Sequence, residues 1–261
     1  MEVMFEVDYL LKIHELTKQN CMLMYHKQTH LVLRNGEVVG NAKAFAEMAM
    51  KEYDVADAEA ANTVIYNRFV RELTAKLMKE RGRPIVYIEF VDAGSKPSDA
   101  VRLGVMQIEL FNELCPQAVE NFTKLCMGMG SGANAVHYKG CPIHRLVKDG
   151  WIQCGDMVDG SGAHSTAALD QTGVVPDESF TLDFGFIPGG VVGFANEGAH
   201  SSGSQFFITM GPCEWMNHNF VGVGRVLQGF HVLRALNQLA TTNQRPIKNI
   251  TILSCGITPI E

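Results

Sequence analysis

Residues 141–158, CPIHRLVKDGWIQCGDMV, decide how this chain is read. Two strand-like apolar runs, CPIHRLV (141–147) and GWIQCGDMV (150–158), follow each other with only Lys148 and Asp149 between them. Upstream, IVYIEFVDAG (85–94) and VRLGVMQIELF (101–111) show the apolar alternation of strands, and the segment joining them is rich in Gly, Ser, Pro and Asp. Pro116 then opens a helix, PQAVENFTKLCMG: proline at the first helical position loses nothing by its missing N–H, and Gly128 can close the last turn. Downstream come GGVVGFAN (189–196), SQFFITM (204–210), FVGVGRVL (220–227) and NITILSCGI (249–257), with one more helix, GFHVLRALNQL (229–239). About eight short strands and two helices predict a mainly β fold, a closed eight-stranded antiparallel barrel capped by two helices.

The chain has 261 residues, and at roughly 100–200 residues per domain it holds one large or two unequal domains. Its 46% hydrophobic and 19% charged residues are those of an ordinary folded protein. No run approaches the roughly 18 apolar residues of a membrane span. The first residues, MEVMFEVDYLLKIHEL, carry acids where a secretory leader needs bases, so a cytoplasmic chain is expected. A net charge of −6 argues against nucleic acid as a partner. Seven cysteines without a CxxC pair read as free thiols in a reducing compartment. Cys141 and His144 have C-x-x-H spacing but no second pair to complete a zinc site, so neither metal nor cofactor is expected. His137, His164, His200 and His218 read as surface or loop residues.

Residues 1–83 differ from the rest. They hold 12 Lys+Arg and 12 Asp+Glu, so the net charge lies wholly beyond them, and a boundary is expected at Arg83–Pro84. A helix over residues 1–16 carries Val3, Val7, Leu10 and Ile13 at helical spacing. HLVLRNGEVVG (30–40) reads as a hairpin turning at Asn35-Gly36, and Asn41 can cap a helix running to about Tyr53. A longer helix over 58–79 aligns Ala61, Ile65, Phe69, Leu73 and Leu77 in one apolar stripe, with Glu72 and Lys76 paired on its surface. This helix, hairpin and helix faintly resembles the C-terminal half of a thioredoxin-like domain, without its CxxC. A small α/β docking or packing module is the plainer reading, with a modest core that calls for a partner surface.

The chain from Pro84 to Glu261, about 178 residues, resembles the cyclophilins, a family of peptidyl-prolyl cis/trans isomerases. The resemblance rests on PQAVENFTKLC, YKGCPIHRLVKDGWIQCGD, FANEGAHSSGSQFFIT, EW, FVGVGRV and ITILSCG, standing in that order. Gly150-Trp151 and the NQRPI of residues 243–247 are similar to a divergent, isomerase-like branch with an N-terminal extension. The resemblance implies the following roles. Arg145 is the catalytic arginine and Gln153 the glutamine that orients it. The backbone of Ala195 and Asn196 grips the peptide, Gln205 is a polar site residue and Phe207 the pocket floor. Met216 forms an apolar wall, and Trp215 is the rim residue that contacts cyclosporin-type macrocycles.

Isomerisation needs no covalent step. The X–Pro amide rotates over a barrier of about 18–20 kcal/mol, which falls when a fixed donor binds the twisted amide better than either planar form. Arginine, always charged and with a rigid fork of donors, suits that task.

Several positions depart from the family. Gly150 stands where the family has a pocket Phe, Trp151 where it has a Met, Phe220 where it has a His and Val223 where it has a Phe. Glu197 replaces a small residue beside the neighbouring side-chain pocket, as a solvated rim acid or as a selector of basic residues two before the proline. Two readings stand. One is an isomerase acting on X–Pro bonds of proteins, weakened by the remodelled pocket, with weak cyclosporin binding. The other is a proline-peptide-binding or scaffold subunit that docks through residues 1–83. The branch resemblance adds an expected location in a cilium or flagellum, as in a radial spoke.

Overall fold

The computed structural model describes residues 4–20, 23, 31–34, 37–41, 43–44, 47–48, 75–94, 97–130, 136–169, 173–186 and 188–259. The chain divides into two compact units, 1–77 and 78–261.

In the first unit α1 runs Glu6–Gln19, starting later than expected because Phe5 is extended. Glu6 and Asp8 in its first turn and Lys18 in its last suit the helix dipole. Strands β1 (Val32–Arg34) and β2 (Glu37–Gly40) pair antiparallel with Leu33 opposite Val38. The Asn35-Gly36 turn lies outside the described residues. Asn41 acts as read: its Oδ1 accepts from Ala44 N at 2.9 Å. Most of the helix expected over 58–79 is likewise outside them, although residues 75–81 are helical.

The second unit is an eight-stranded, wholly antiparallel sheet built from β3 (Ile85–Asp92), β4 (Val101–Leu110), β5 (Arg145–Val147), β6 (Trp151–Cys154), β7 (Val191–Phe194), β8 (Phe206–Thr209), β9 (Gly222–Gln228) and β12 (Ile250–Ile257). Their spatial order is β12-β3-β4-β9-β7-β8-β6-β5, with a two-stranded hairpin of β10 (Thr241–Thr242) and β11 (Arg245–Pro246) set apart.

The expected closed barrel needs a correction. No ladder joins β5 to β12; the sheet curls into a half-barrel whose seam is tied by an isolated bridge, Pro142 to Thr251, and by Ile143 N donating to Ile250 O at 2.8 Å. Ile252 N also donates to Cys141 O at 3.0 Å. The bridge uses backbone groups on either side of Pro142, so the proline's missing N–H costs the seam nothing.

Helix α2 (Pro116–Met127) has Pro116 at its first position, and its free N–H groups at Gln117 and Ala118 donate to the Glu178 carboxylate at 3.0 and 2.8 Å. Phe122 from this helix meets Tyr138, Phe194 and Phe206 at ring-centroid distances of 5.4, 6.0 and 5.2 Å. Helix α3 (Phe230–Asn237) buries Phe230, Val232, Leu233 and Leu236. The six described cysteines are buried and unpaired, and burial pushes the Cys115 and Cys141 thiols up to about 12. No described helix is long and apolar enough to cross a membrane.

This unit starts at Met78, ahead of the expected Pro84, and a buried carboxylate shows why. Glu109 on β4 is fully buried, and its oxygens meet Arg81 Nη1 at 3.2 Å, Arg83 Nη1 at 3.6 Å and Arg225 Nε at 3.3 Å. Arg225 is its cross-strand partner on β9, while Arg81 and Arg83 come from the segment before β3. Breaking a buried ion pair costs about 3–5 kcal/mol. The three arginines are 21%, 34% and 22% exposed, so solvent screening brings the expected loss for Glu109→Gln to roughly 2–3 kcal/mol. A fragment 84–261 lacks two of the three arginines and is expected to unfold at lower urea than a fragment 78–261. Equal midpoints would show that the segment before β3 contributes nothing to the second unit.

Candidate active site

Strand alternation sets out the site. On β6, Ile152 and Cys154 are buried while Trp151 and Gln153 are half-buried on the other face. Antiparallel register places Arg145 of β5 opposite Gln153, and Gln153 opposite Phe207 of β8. Catalytic arginine, glutamine and floor, as the sequence reading has them, therefore form one row across three strands. The Phe207 ring passes so close over β7 that a Cβ at Gly193 would lie 2.6 Å from its Cζ.

Phe207 is buried with Phe184, Val191, Cys213 and Met216, and Trp151, Ala195, Phe220, Leu182 and Phe186 pack against that cluster from the half-exposed side. The rings run in a chain. Phe207 meets Phe184 at 5.5 Å and Phe220 edge-on at 5.4 Å. Phe220 meets Trp215 at 6.1 Å, and Trp215 meets Trp151 at 5.5 Å. The Arg145 guanidinium carbon ends the chain, 5.2 Å from the Trp151 ring centre. Trp215 and Met216 sit on a single 3₁₀ turn, Glu214–Met216, which leaves Trp215 58% exposed and buries Met216. Val223 is fully buried and is not part of this cluster.

The polar side of the site is organised by Asp156. Its fully buried carboxylate accepts from the backbone N–H of Val158 at 3.0 Å, Asp159 at 3.4 Å, Gly162 at 2.8 Å and His164 at 3.3 Å. Burial alone would raise its pKa; the four N–H donors outweigh that and hold the carboxyl well below the usual carboxylate range. The loop so folded presents the carbonyls of Gly162 and His164 to Gln205 Nε2, at 2.9 and 3.0 Å. Gln205 Oε1 in turn accepts from Gln153 Nε2 at 2.8 Å. Gln153 thus stands beside Arg145 but gives its amide to Gln205, and Arg145 Nε donates instead to Gln244 Oε1 at 2.8 Å. The two terminal nitrogens of Arg145 make no hydrogen bond or ion pair among the described residues.

Ala195 N donates to Gln205 O at 2.9 Å, and Asn196 Nδ2 donates to Asn219 O at 3.0 Å. The Asn196 main chain makes no hydrogen bond among the described residues, so its N–H and C=O are unengaged. Glu197 is exposed, its N–H donating to Ser201 Oγ at 2.8 Å.

Gly150 closes the β5–β6 turn, its N–H donating to Val147 O at 3.0 Å. A Cβ there would meet Val147 Cγ1 at 3.2 Å and Val147 O at 3.3 Å, not open space.

Several residues of the site were missed in the sequence. Gln244, Asp156 and Phe184 were not singled out. His144, read only as half of a C-x-x-H spacing, is buried with neither ring nitrogen hydrogen-bonded among the described residues, and burial lowers its pKa and favours the neutral ring. Asp156, Asp159 and His164 bring three ligand atoms within 4.8 Å of one another, but the Asp156 oxygens are already occupied by the loop backbone.

The family model of the cyclophilin type peptidyl-prolyl cis-trans isomerase/CLD matches residues 98–257. Among curated proteins, the chain is 31% identical over 225 residues, 85% of its length, to 68% of a Homo sapiens protein named probable inactive peptidyl-prolyl cis-trans isomerase-like 6. It is 33% identical over 193 residues, 73% of its length, to 97% of peptidyl-prolyl cis-trans isomerase 11 of Caenorhabditis elegans. With peptidyl-prolyl cis-trans isomerase CYP21-1 of Arabidopsis thaliana it shares 37% identity over 165 residues, 62% of this chain and 72% of that one. The chain belongs to the cyclophilin-type peptidyl-prolyl isomerase family.

Two outcomes follow from the site. Asp156→Asn sets an amide N–H against backbone N–H donors and is expected to lose about 2 kcal/mol at pH 7. A carboxyl whose folded pKa lies below its unfolded value of about 3.9 stabilises above that value and loses the effect as pH falls toward the folded pKa. The gap between wild type and variant in urea melts should therefore close below about pH 4; a gap independent of pH would remove the charged-carboxylate account. Gly150→Phe must displace Val147 and is expected to lose about 1–3 kcal/mol of stability without raising activity. A gain in activity would mean that the turn opens into a proline pocket.

Proposed function

We propose that the site binds X–Pro segments of polypeptides and catalyses their cis/trans isomerisation, slowly. The observation that carries the reading is Arg145, whose two terminal nitrogens are unengaged among the described residues at the edge of the aromatic cluster and in one row with Phe207. With the proline ring on the aromatic face and the chain held by the Asn196 main chain, the carbonyl side turns. As the amide twists, the prolyl nitrogen gains a lone pair, and an Arg145 N–H donates to it. That bond exists only in the twisted state, so it lowers the barrier without tightening substrate. No proton is transferred and no bond to the protein forms.

A second reading, a peptide-binding subunit without catalysis, is favoured by the ring of Phe220 lying edge-on over Phe207. The name of the Homo sapiens relative, probable inactive, points the same way. Weak cyclosporin binding is part of the proposal, supported by the exposed Trp215 on the rim. So is a docking role for residues 1–83. A place in the cytoplasm is supported by the acidic first residues and the free cysteines, and one in a cilium or flagellum only by the branch resemblance.

Magnetisation-exchange NMR on an X–Pro peptide separates the two readings, since broadening reports binding and exchange reports catalysis. Arg145 is exposed, so Arg145→Ala should change stability by no more than about 0.5 kcal/mol. It should abolish catalysed exchange. Arg145→Lys should also be poor, a point charge on a flexible stem lacking the fork. Binding without exchange in wild type would leave the subunit reading standing.

A further inference from the structure

The short hairpin of β10 and β11 turns on Asn243 and Gln244, which hold φ of 50° and 63°. Two consecutive positive φ values define the tight type I′ turn, whose second position is ordinarily glycine because a side chain there crowds the backbone. Asparagine tolerates the conformation; glutamine has no such local advantage. Both ends of Gln244 are nevertheless used. Its carbonyl accepts from Leu146 N at 2.6 Å, and its side-chain Oε1 accepts from Arg145 Nε at 2.8 Å. Two successive residues of β5 are thus gripped by one residue of the hairpin. The hairpin itself is fixed to the Asp156 loop, because Arg245 Nη2 donates to Gly160 O at 3.0 Å. Gln153, the residue expected to orient the arginine, gives an amide N–H to Gln205, and no hydrogen bond joins it to Arg145 among the described residues.

We infer that Gln244 is the positioning residue of Arg145, holding Nε from the hairpin side while the Trp151 ring supports the guanidinium face, so that the two terminal nitrogens point along the cleft. The strained turn is retained for this side chain: glycine would relax the backbone and release the arginine. The inference rests on the isomerase reading for its consequence, but not for its geometry.

The test uses the full chain and two readouts. The first is solvent exchange of the Arg145 Nε–H, assigned by its loss in Arg145→Lys. In Gln244→Gly and in Gln244→Asn, which is one methylene too short, exchange should speed up at least tenfold. Gln244→Glu keeps the acceptor oxygen and should restore wild-type protection, and Gln153→Ala should leave it intact. The second readout is catalysed X–Pro exchange: Gln244→Gly should lower kcat about tenfold at unchanged KM while the melting temperature stays equal or rises, and Gln244→Glu should recover kcat. Unchanged Nε–H exchange in Gln244→Gly, or equal loss in Gln153→Ala, overturns the inference. A wild type with no catalysed exchange overturns the isomerase reading instead, and the Nε–H comparison then decides the positioning by itself.

Discussion

A strand presents alternate side chains to opposite faces, and β6 uses that rule to keep two environments apart. Ile152 and Cys154 complete the core; Trp151 and Gln153 lie half-buried on the face of the site. A slip of one residue against β5 or β8 would bury the Gln153 amide and expel Ile152, so the whole cleft depends on register. The turn pins that register. Asp149 N and Asn237 Oδ1 meet at 2.8 Å while Asn237 Nδ2 and Asp149 Oδ1 meet at 2.7 Å, a reciprocal pair from the tip of the hairpin to α3. On the opposite side Met210 N donates to Gly150 O at 2.6 Å. With β5 and β6 so locked, Arg145, Gln153 and Phe207 have no choice but to share a row.

Gln205 is nearly saturated before any peptide arrives. Gln205 gives its amide to two loop carbonyls and its oxygen to Gln153, so little of its hydrogen-bonding capacity remains for a ligand. Its task here is to transmit the shape of the Asp156 loop to Gln153. Satisfied networks of this kind are rigid, and rigidity is what a reaction driven by one oriented donor requires. Among the groups that the network does not use are the terminal nitrogens of Arg145 and the main chain of Asn196, the ones the proposed reading gives to a substrate.

How far the sequence could be read follows from how local each cause is. The alternation of 85–94 and 101–111, the proline and glycine bounding α2, and the Asn41 cap all act within a few residues, and each appears where the pattern put it. The seam of the half-barrel is decided by Pro142 meeting Thr251, a long-range event with no pattern of its own. The same holds for Glu109, whose arginines lie 28, 26 and 116 residues away, so the start of the second unit could not be placed from composition. In the site, Arg145 and Gln153 stood out only through a family motif, because an arginine and a glutamine eight apart carry no chemical signal. Gln244, 99 residues from Arg145, has one faint mark: a turn dipeptide in which glutamine occupies glycine's place.

The exchange of aromatic positions bears on kcat and KM differently. Gly150 contributes no ring, while Trp151 and Phe220 place theirs at the cleft, and Phe220 rests edge-on against both Phe207 and Trp215. Aromatic pairs of this kind are worth about 0.5–1.5 kcal/mol each. Moving Phe220 aside to seat a proline on Phe207 gives up two of them, roughly 1–3 kcal/mol, or about 5- to 150-fold in affinity. That penalty falls on substrate and twisted amide alike. Arg145 lies at the far end of the ring chain, and its donor geometry does not depend on Phe220. On the proposed reading, therefore, the remodelled pocket raises KM and leaves kcat to Arg145. Catalysis would then be visible at high peptide concentration and absent from assays run at low concentration, where a weakly binding isomerase and an inactive one look the same.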